Sequence, residues 1–172
     1  PVDNLFAAPI FVKHIKKNIK SRNLICVAPD VGGVERARAI GKRLNADLAI
    51  IDKRRSGPGK SEVMNVIGSV KGKTCIIIDD LVDSGGTICN AADALIQKGA
   101  KEVFAYVVHA VLSKDAVQKI QQSKIKQFIV TNSIDNQLKT KKTKIKIVSI
   151  APLLAEAINR ISESKSVSKL FK

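Results

Sequence analysis

Asp79, Asp80 and Asp83 place three carboxylates within five positions, and Ser84-Gly85-Gly86-Thr87 follows directly. Two adjacent carboxylates repel each other unless a cation or hydroxyl donors sit between them, so the pair calls for a ligand. Paired glycines let a backbone approach a ligand closely, and the free N–H groups at a helix start suit an anion. Acceptors for hydroxyls beside donors for a phosphate suggest a site for a hydroxyl-rich phosphate ester. A polar turn that merely caps the next helix would also be hydrophilic. It does not account for three aspartates so close together.

A second stretch repeats this plan. Leu24 to Ala28 is apolar, and Pro29-Asp30-Val31-Gly32-Gly33 follows before a helical pattern begins. An aspartate with paired glycines at a strand end suits a second anionic group. A third stretch carries cations: Asp52-Lys53-Arg54-Arg55 leads into Ser56-Gly-Pro-Gly-Lys-Ser61, which is almost free of apolar residues. Basic residues followed by a Gly/Pro run between two strands read as a flap that closes over a phosphorylated substrate. An exposed hairpin with solvated charges reads from the same residues.

These turns need rigid elements to hold them. Cys75 to Ile78 is a continuous apolar run, the mark of a strand buried on both faces of a parallel sheet. In such sheets ligands bind outside the carboxyl ends of the strands. Further strands are predicted at Leu24–Ala28, Leu48–Ile51, Val63–Ile67, Val103–Val108, Phe128–Val130 and Ile145–Ile150. Helices are predicted from Pro9, with Ile10, Phe11, His14 and Ile15 on one face, and through Val34, Ala37, Gly41 and Leu44, the latter with Arg36, Arg38 and Arg43 around it. Another starts at Thr87 and carries Ile88, Ala91, Ala92, Leu95 and Ile96, with Gly99 at its C-terminal cap. Lys114 to Gln122 and a closing segment from Pro152 complete the set. The alternation predicts one α/β domain over residues 1–172. It is three-layered, a mainly parallel open sheet flanked by helices on both faces, with a flap hairpin.

Composition narrows the function classes. A hydrophobic content of 45% over 172 residues supports a real core. No apolar run reaches the roughly 18–20 residues that span a bilayer, and no basic-then-apolar leader opens the chain, so we expect a soluble cytoplasmic protein without a membrane partner. Cys26, Cys75 and Cys89 lack metal-ligand spacing, and the two inside apolar strand patterns, Cys26 and Cys75, read as small buried hydrophobes. A net charge of +15 attracts polyanions, but with 3% aromatic residues and no Trp, base-stacking platforms are scarce. Phosphorylated small molecules are the better fit, and nucleic acid is not the expected partner. The basic run Lys139 to Lys146 reads as a solvated turn, and Ser162 to Ser168 as a loose tail.

With these residues assembled, Ile77-Ile-Asp-Asp-Leu-Val-Asp-Ser-Gly-Gly-Thr87 resembles the phosphoribosyl diphosphate fingerprint of the type I phosphoribosyltransferase fold. Asp30-Val-Gly-Gly-Val-Glu-Arg-Ala-Arg38, Ile51-Asp-Lys-Arg-Arg55, Glu62-Val-Met-Asn65 and Ala151-Pro-Leu-Leu-Ala-Glu-Ala-Ile158 resemble the ribose-phosphate diphosphokinase family, as does Ser166-Val-Ser-Lys-Leu-Phe171. The likeness runs in order along essentially the whole chain but covers only the second of that family's two related domains. Val2-Asp-Asn-Leu-Phe6 resembles the segment that joins the halves. We therefore expect a fragment, the alternative being half of a split enzyme. The first half would supply most of the adenine pocket and a histidine that shares the magnesium.

The resemblance implies transfer of the β,γ-diphosphoryl group of ATP to O1 of ribose 5-phosphate, with Mg²⁺ as cofactor. Lys53 and Arg55 are implied as catalytic cations. Asp79, Asp80, Asp83, Ser84, Gly85, Gly86 and Thr87 are implied as the ribose 5-phosphate site. Asp30, Gly32 and Gly33 are implied as the diphosphate turn, with Asp30 a ligand of Mg²⁺. Arg54 should point away from Lys53 and Arg55 if that part is extended. The family usually has a proline directly after the basic triplet, where this chain has Ser56 and Gly57. A homo-oligomer is implied as well, smaller than the family's hexamers, and the chain alone is expected to be inactive. Two other readings stay open on the residues: a stand-alone phosphoribosyltransferase, and a regulatory or nucleic-acid-binding module on the same fold.

Overall fold

The computed structural model describes residues 2–55 and 62–171, with the side chains of 53–55, 62, 63 and 171 outside that description. In chain order the elements are α1 (Ala8–Asn18), β1 (Leu24–Ala28), α2 (Val34–Leu44), β2 (Asp47–Arg55), β3 (Glu62–Ile67), β4 (Thr74–Val82) and α3 (Gly86–Gln97). They continue with β5 (Glu102–Ala110), α4 (Ala116–Gln122), β6 (Gln127–Thr131), α5 (Gln137–Thr140), β7 (Ile145–Val148) and α6 (Ala151–Ser162). The strands form one sheet in the order β3-β2-β1-β4-β5-β6-β7. Every pairing is parallel except β2 with β3. Parallel neighbours need crossover connections, and the helices supply them.

The sheet separates two apolar layers. Cys75 and Ile77 of β4 pack with Ile88, Ala91 and Leu95 of α3, Ile120 of α4 and Phe128 of β6. Ile76 and Ile78 face the other way and pack with Phe11 and Ile15 of α1, Ala37 and Ile40 of α2, and Tyr106 of β5. Alternating side chains on a strand covered twice are all apolar, which is why Cys75–Ile78 reads as an unbroken run. All three cysteines are free and buried. His14 sits at the edge of its layer, its Nδ1 2.9 Å from the Tyr106 hydroxyl. Burial, with Lys17 nearby, holds its imidazole below the ordinary value.

Several elements end elsewhere than the sequence predicts. β2 continues from Ile51 to Arg55 because β3 runs alongside, pairing Ile50 with Ile67 through Arg55 with Glu62. β4 continues past Ile78 to Val82 because β5 accompanies it, pairing Leu81 with His109 and Val82 with Ala110. α4 starts at Ala116, since Lys114 has φ +49° and cannot be helical. β7 ends at Val148, two residues short of Ile150. The basic run is not simply a solvated turn: α5 ends within it, and Lys144 Nζ donates to the carbonyls of Ser123 at 2.8 Å and Ile125 at 2.9 Å. The tail is tied back by Arg160, which donates to the Ser166 carbonyl, and Ser168–Phe171 forms a 3-10 turn. On α6 only Ala157 is buried, and Ile158 and Ile161 remain 67% and 61% exposed. No helix among the described residues is long and apolar enough to cross a membrane.

Tyr106 is fully buried, and the His14 contact is the hydrogen bond shown for its hydroxyl. Tyr106→Phe removes that bond without leaving a cavity. A loss of about 1 kcal/mol is expected, a fall of roughly 2–4 °C in Tm measured at pH 7.5.

Candidate active site

β1 and β4 lie side by side, and the chain leaves them toward opposite ends of the sheet. This is the switch point of an open parallel sheet, where loops at the carboxyl ends diverge and leave a crevice. A recess of about 200 Å³ occupies it, lined by Asp30 after β1 and by Asp79, Leu81, Val82 and the turn from Asp83 to Thr87. Asp30, Asp79, Asp83, Ser84, Gly85, Gly86 and Thr87 are thus brought together. A larger recess of about 330 Å³ lies at the opposite end of the strands, between Arg38 and Lys42 of α2 and Asp47 of β2, remote from all of these residues.

The turn before α3 is shaped by its glycines. Gly85 has φ +77°, and a Cβ there would lie 3.5 Å from Ile120, so it is both strained for other residues and packed. Gly86 differs: nothing lies within 4 Å of where its Cβ would be. No side chain caps the α3 N-terminus. Its first turn lines the recess, so the positive helix end is directed there.

The turn after β1 works otherwise. Asp30 Oδ1 accepts the Gly33 N–H at 2.9 Å, which closes the 3-10 turn Val31–Gly33. Gly33 is buried, with Pro29 Cδ 3.4 Å and Asp30 Oδ1 3.6 Å from the position of a Cβ. Gly32 and Gly33 support the Asp30 carboxylate from behind and do not line the recess.

Asp79 and Asp80 are joined by a residue that sequence reasoning placed only among the arginines around α2. Arg36 Nη2 lies 2.6 Å from Asp80 Oδ2 and 3.4 Å from Asp79 Oδ1. The Asp80 N–H also donates to Asp79 Oδ1, at 2.9 Å. The two carboxyls are driven apart electrostatically. Burial, reinforced by the neighbouring Asp80 carboxylate, pushes Asp79 up to about 6. Burial acts on Asp80 too, but the Arg36 guanidinium outweighs it and holds that carboxyl below its ordinary value. The signal for Arg36 is its place one helical turn beyond Gly33, on the first turn of a helix that starts at the switch point.

Lys53 and Arg55 belong to the carboxyl end of β2, where the backbone pairs Lys53 with Met64 and Arg55 with Glu62. Their side chains, and the whole flap Ser56–Ser61, lie outside the described residues. Among the described residues, no group of three or more His, Cys, Asp and Glu is arranged to hold a metal ion.

The family model of the phosphoribosyl synthetase-associated domain matches residues 55–172. The chain belongs to this family. It is 55% identical over 172 residues to the ribose-phosphate pyrophosphokinase of Agrobacterium fabrum, covering 99% of this chain and 56% of that protein. It is 52% identical to the ribose-phosphate pyrophosphokinase of Maricaulis maris, with the same coverage. The chain therefore spans about half the length of the curated relatives it matches. Among solved structures, the phosphoribosylpyrophosphate synthetase of Mycobacterium smegmatis superposes with a TM-score of 0.87 at 36% identity, over 95% of this chain and 53% of that one. An adenine phosphoribosyl transferase from Trypanosoma brucei superposes with a TM-score of 0.57 at 20% identity, over 67% of this chain and 55% of that one, which is a likeness of fold alone. The family and the sheet order agree with the type I phosphoribosyltransferase fold expected from the motifs.

The raised Asp79 carboxyl has a measurable consequence. A folded-state value near 6 against an ordinary 3.8 favours the protonated form, so this group's stabilisation is full below about pH 4 and is lost as pH rises through about 6. Asp79→Asn mimics that neutral form and should raise stability at pH 7 by about 1–2 kcal/mol, allowing for partial exposure and the nearby Arg36. In thermal melts the gain should vanish at pH 4. A gain that persists at pH 4 would show that ionisation of Asp79 is not its source.

Proposed function

We propose that this chain forms the ribose 5-phosphate and diphosphate subsites of a ribose-phosphate diphosphokinase, which moves the β,γ-diphosphoryl group of ATP onto O1 of ribose 5-phosphate and releases AMP. One observation carries the reading. A single recess combines a carboxylate at the end of β4, the open backbone at Gly86 and the N-terminus of α3, with Asp30 facing them across the switch point.

Each part has a role in that reaction. The phosphate of ribose 5-phosphate is bound by the amides of the Asp83–Thr87 turn, with the Ser84 and Thr87 hydroxyls beside them. Asp79 and Asp80 accept hydrogen bonds from the ribose 2- and 3-hydroxyls, which leaves O1 directed at the β1 turn. O1 then bonds to the β-phosphorus as the bond from that phosphorus to the oxygen of the departing AMP breaks, and the hydroxyl proton passes to solvent.

The charge that develops on the diphosphoryl oxygens needs cations. The recess is itself acidic, with Asp30, Asp79 and Asp83 on its walls, so the cations come from elsewhere. Lys53 and Arg55 stand three and five residues beyond Ile50, the last β2 residue paired with β1. At roughly 3.3 Å per residue, the hairpin carries Arg55 about 16 Å of chain past that point. A flap there delivers both cations to the diphosphate on closing.

Mg²⁺ fits the same side of the site. One Asp30 oxygen is engaged by Gly33, and the other remains as a hard ligand. One or two carboxylates plus substrate phosphates are the usual support for this ion. When bound, Mg²⁺ neutralises diphosphate charge.

The adenine subsite is assigned to polypeptide of the kind that fills the rest of the relatives' length. The exposed Leu154, Ile158 and Ile161 on α6 suit a face covered in such an assembly.

Calorimetry of the chain with ribose 5-phosphate and Mg²⁺ should show binding in the millimolar range or tighter. No AMP should form from ATP. Gly86→Val adds bulk where the fold has open space, so it should leave Tm nearly unchanged while weakening ribose 5-phosphate by tenfold or more. Unchanged affinity would overturn this placement of the phosphate, and turnover by the chain alone would overturn the division of subsites.

A further inference from the structure

The Asp79–Asp80 pair poses a geometric problem that the proposed function does not solve. Consecutive residues of a strand project to opposite faces, so two neighbouring carboxylates diverge from one sugar. Asp79 lines the recess beside the α3 turn, whereas Asp80 is not on its wall and lies against Arg36 of α2. Their exposures differ accordingly, at 14% for the Asp79 side chain and 63% for Asp80. A device that draws both to one ligand is needed, and the structure contains one.

We infer that Arg36 is a positioning residue for the sugar: its guanidinium spans the two carboxylates and holds them as a matched pair of acceptors for vicinal hydroxyls. This rests on the sugar reading of the site given above. A single Nη2 nitrogen meets both side chains, at 2.6 Å and 3.4 Å, while the Asp80 N–H ties Asp79 Oδ1 to the same point. These contacts use Oδ1 of Asp79 and Oδ2 of Asp80. Arg36 also stands on the first turn of α2, six residues after Asp30. The carboxylate pair that grips the sugar is thereby fixed to the element that follows the diphosphate turn, which sets the separation of the two subsites. An ordinary surface ion pair would meet one partner. Arg36, 30% exposed at the rim, meets two that natural strand geometry separates.

The test compares wild type, Arg36→Gln and Arg36→Lys, with ribose 5-phosphate, 2-deoxyribose 5-phosphate and inorganic phosphate as probes. Loss of a charge-assisted contact predicts that Arg36→Gln weakens ribose 5-phosphate by roughly 10- to 100-fold. Its preference for ribose over deoxyribose should collapse, and inorganic phosphate, followed by the Gly86 amide resonance, should bind as in wild type. Arg36→Lys keeps a cation between the carboxylates and should recover most of the affinity and of the preference. The inference is overturned if Arg36→Gln keeps the wild-type preference, or if it loses all three probes alike, which marks a general structural effect. Wild type that binds ribose 5-phosphate no better than inorganic phosphate overturns the sugar reading itself, a separate result visible before any variant is made.

Discussion

The structure depends on carrying two carboxylates out of the most buried strand of the sheet without separating them. β4 lies at the centre of both apolar layers, with Cys75, Ile76, Ile77 and Ile78 almost inaccessible to solvent. That packing fixes where the strand emerges, and so where Asp79 stands, with little freedom left to the site. The cost is electrostatic. Asp79 keeps part of its surface buried, and Asp80 adds a like charge next to it. Arg36 and the Asp80 N–H make the arrangement tolerable.

Charge is distributed against the global average. The chain carries +15, yet the walls of the recess present Asp30, Asp79 and Asp83. In the proposed function, a phosphate ester drawn in by the overall positive field would meet backbone amides and a helix N-terminus, and its hydroxyls would meet the acids. This division suits a ligand that is anionic at one end and a polyol along its length. A simple anion site would show the opposite composition, with cations on the walls. Under the proposed function, with Lys53 and Arg55 as its cations, the local acidity and the demands of diphosphoryl transfer are compatible.

Much of this was legible because the relevant signals are local. A strand buried on both faces must be apolar at every position, so Cys75–Ile78 declared both itself and a parallel sheet. The α3 pattern from Ile88 to Ile96 and the Asp-Ser-Gly-Gly-Thr turn ahead of it declared a helix whose start lines the recess. What failed was set by neighbours. The extra length of β2 exists because β3 offers backbone partners to Asp52–Arg55, and that of β4 exists because β5 continues beside it. Lys144 looked solvated in a basic run, but two carbonyls from the α4–β6 connection capture it. The hydrogen bond from the Gly33 amide to Asp30 was likewise not legible, because it depends on how the turn folds back on itself.

The sequence by itself determined the class of the fold, the three candidate loops and the family to which the chain belongs. Each is written in a few contiguous residues whose types obey the period of one strand or one helix turn. Only the tertiary structure decided which of those loops share a recess and how the carboxylate pair is held. Asp30 and Asp79 are 49 positions apart, and Arg36 and Asp79 are 43 apart. Strand order, not spacing, brings them together: β1 and β4 are neighbours across the point where the chain changes direction. Contacts between residues so distant leave no periodic trace, which is why Arg36 passed as one arginine among several on a helix.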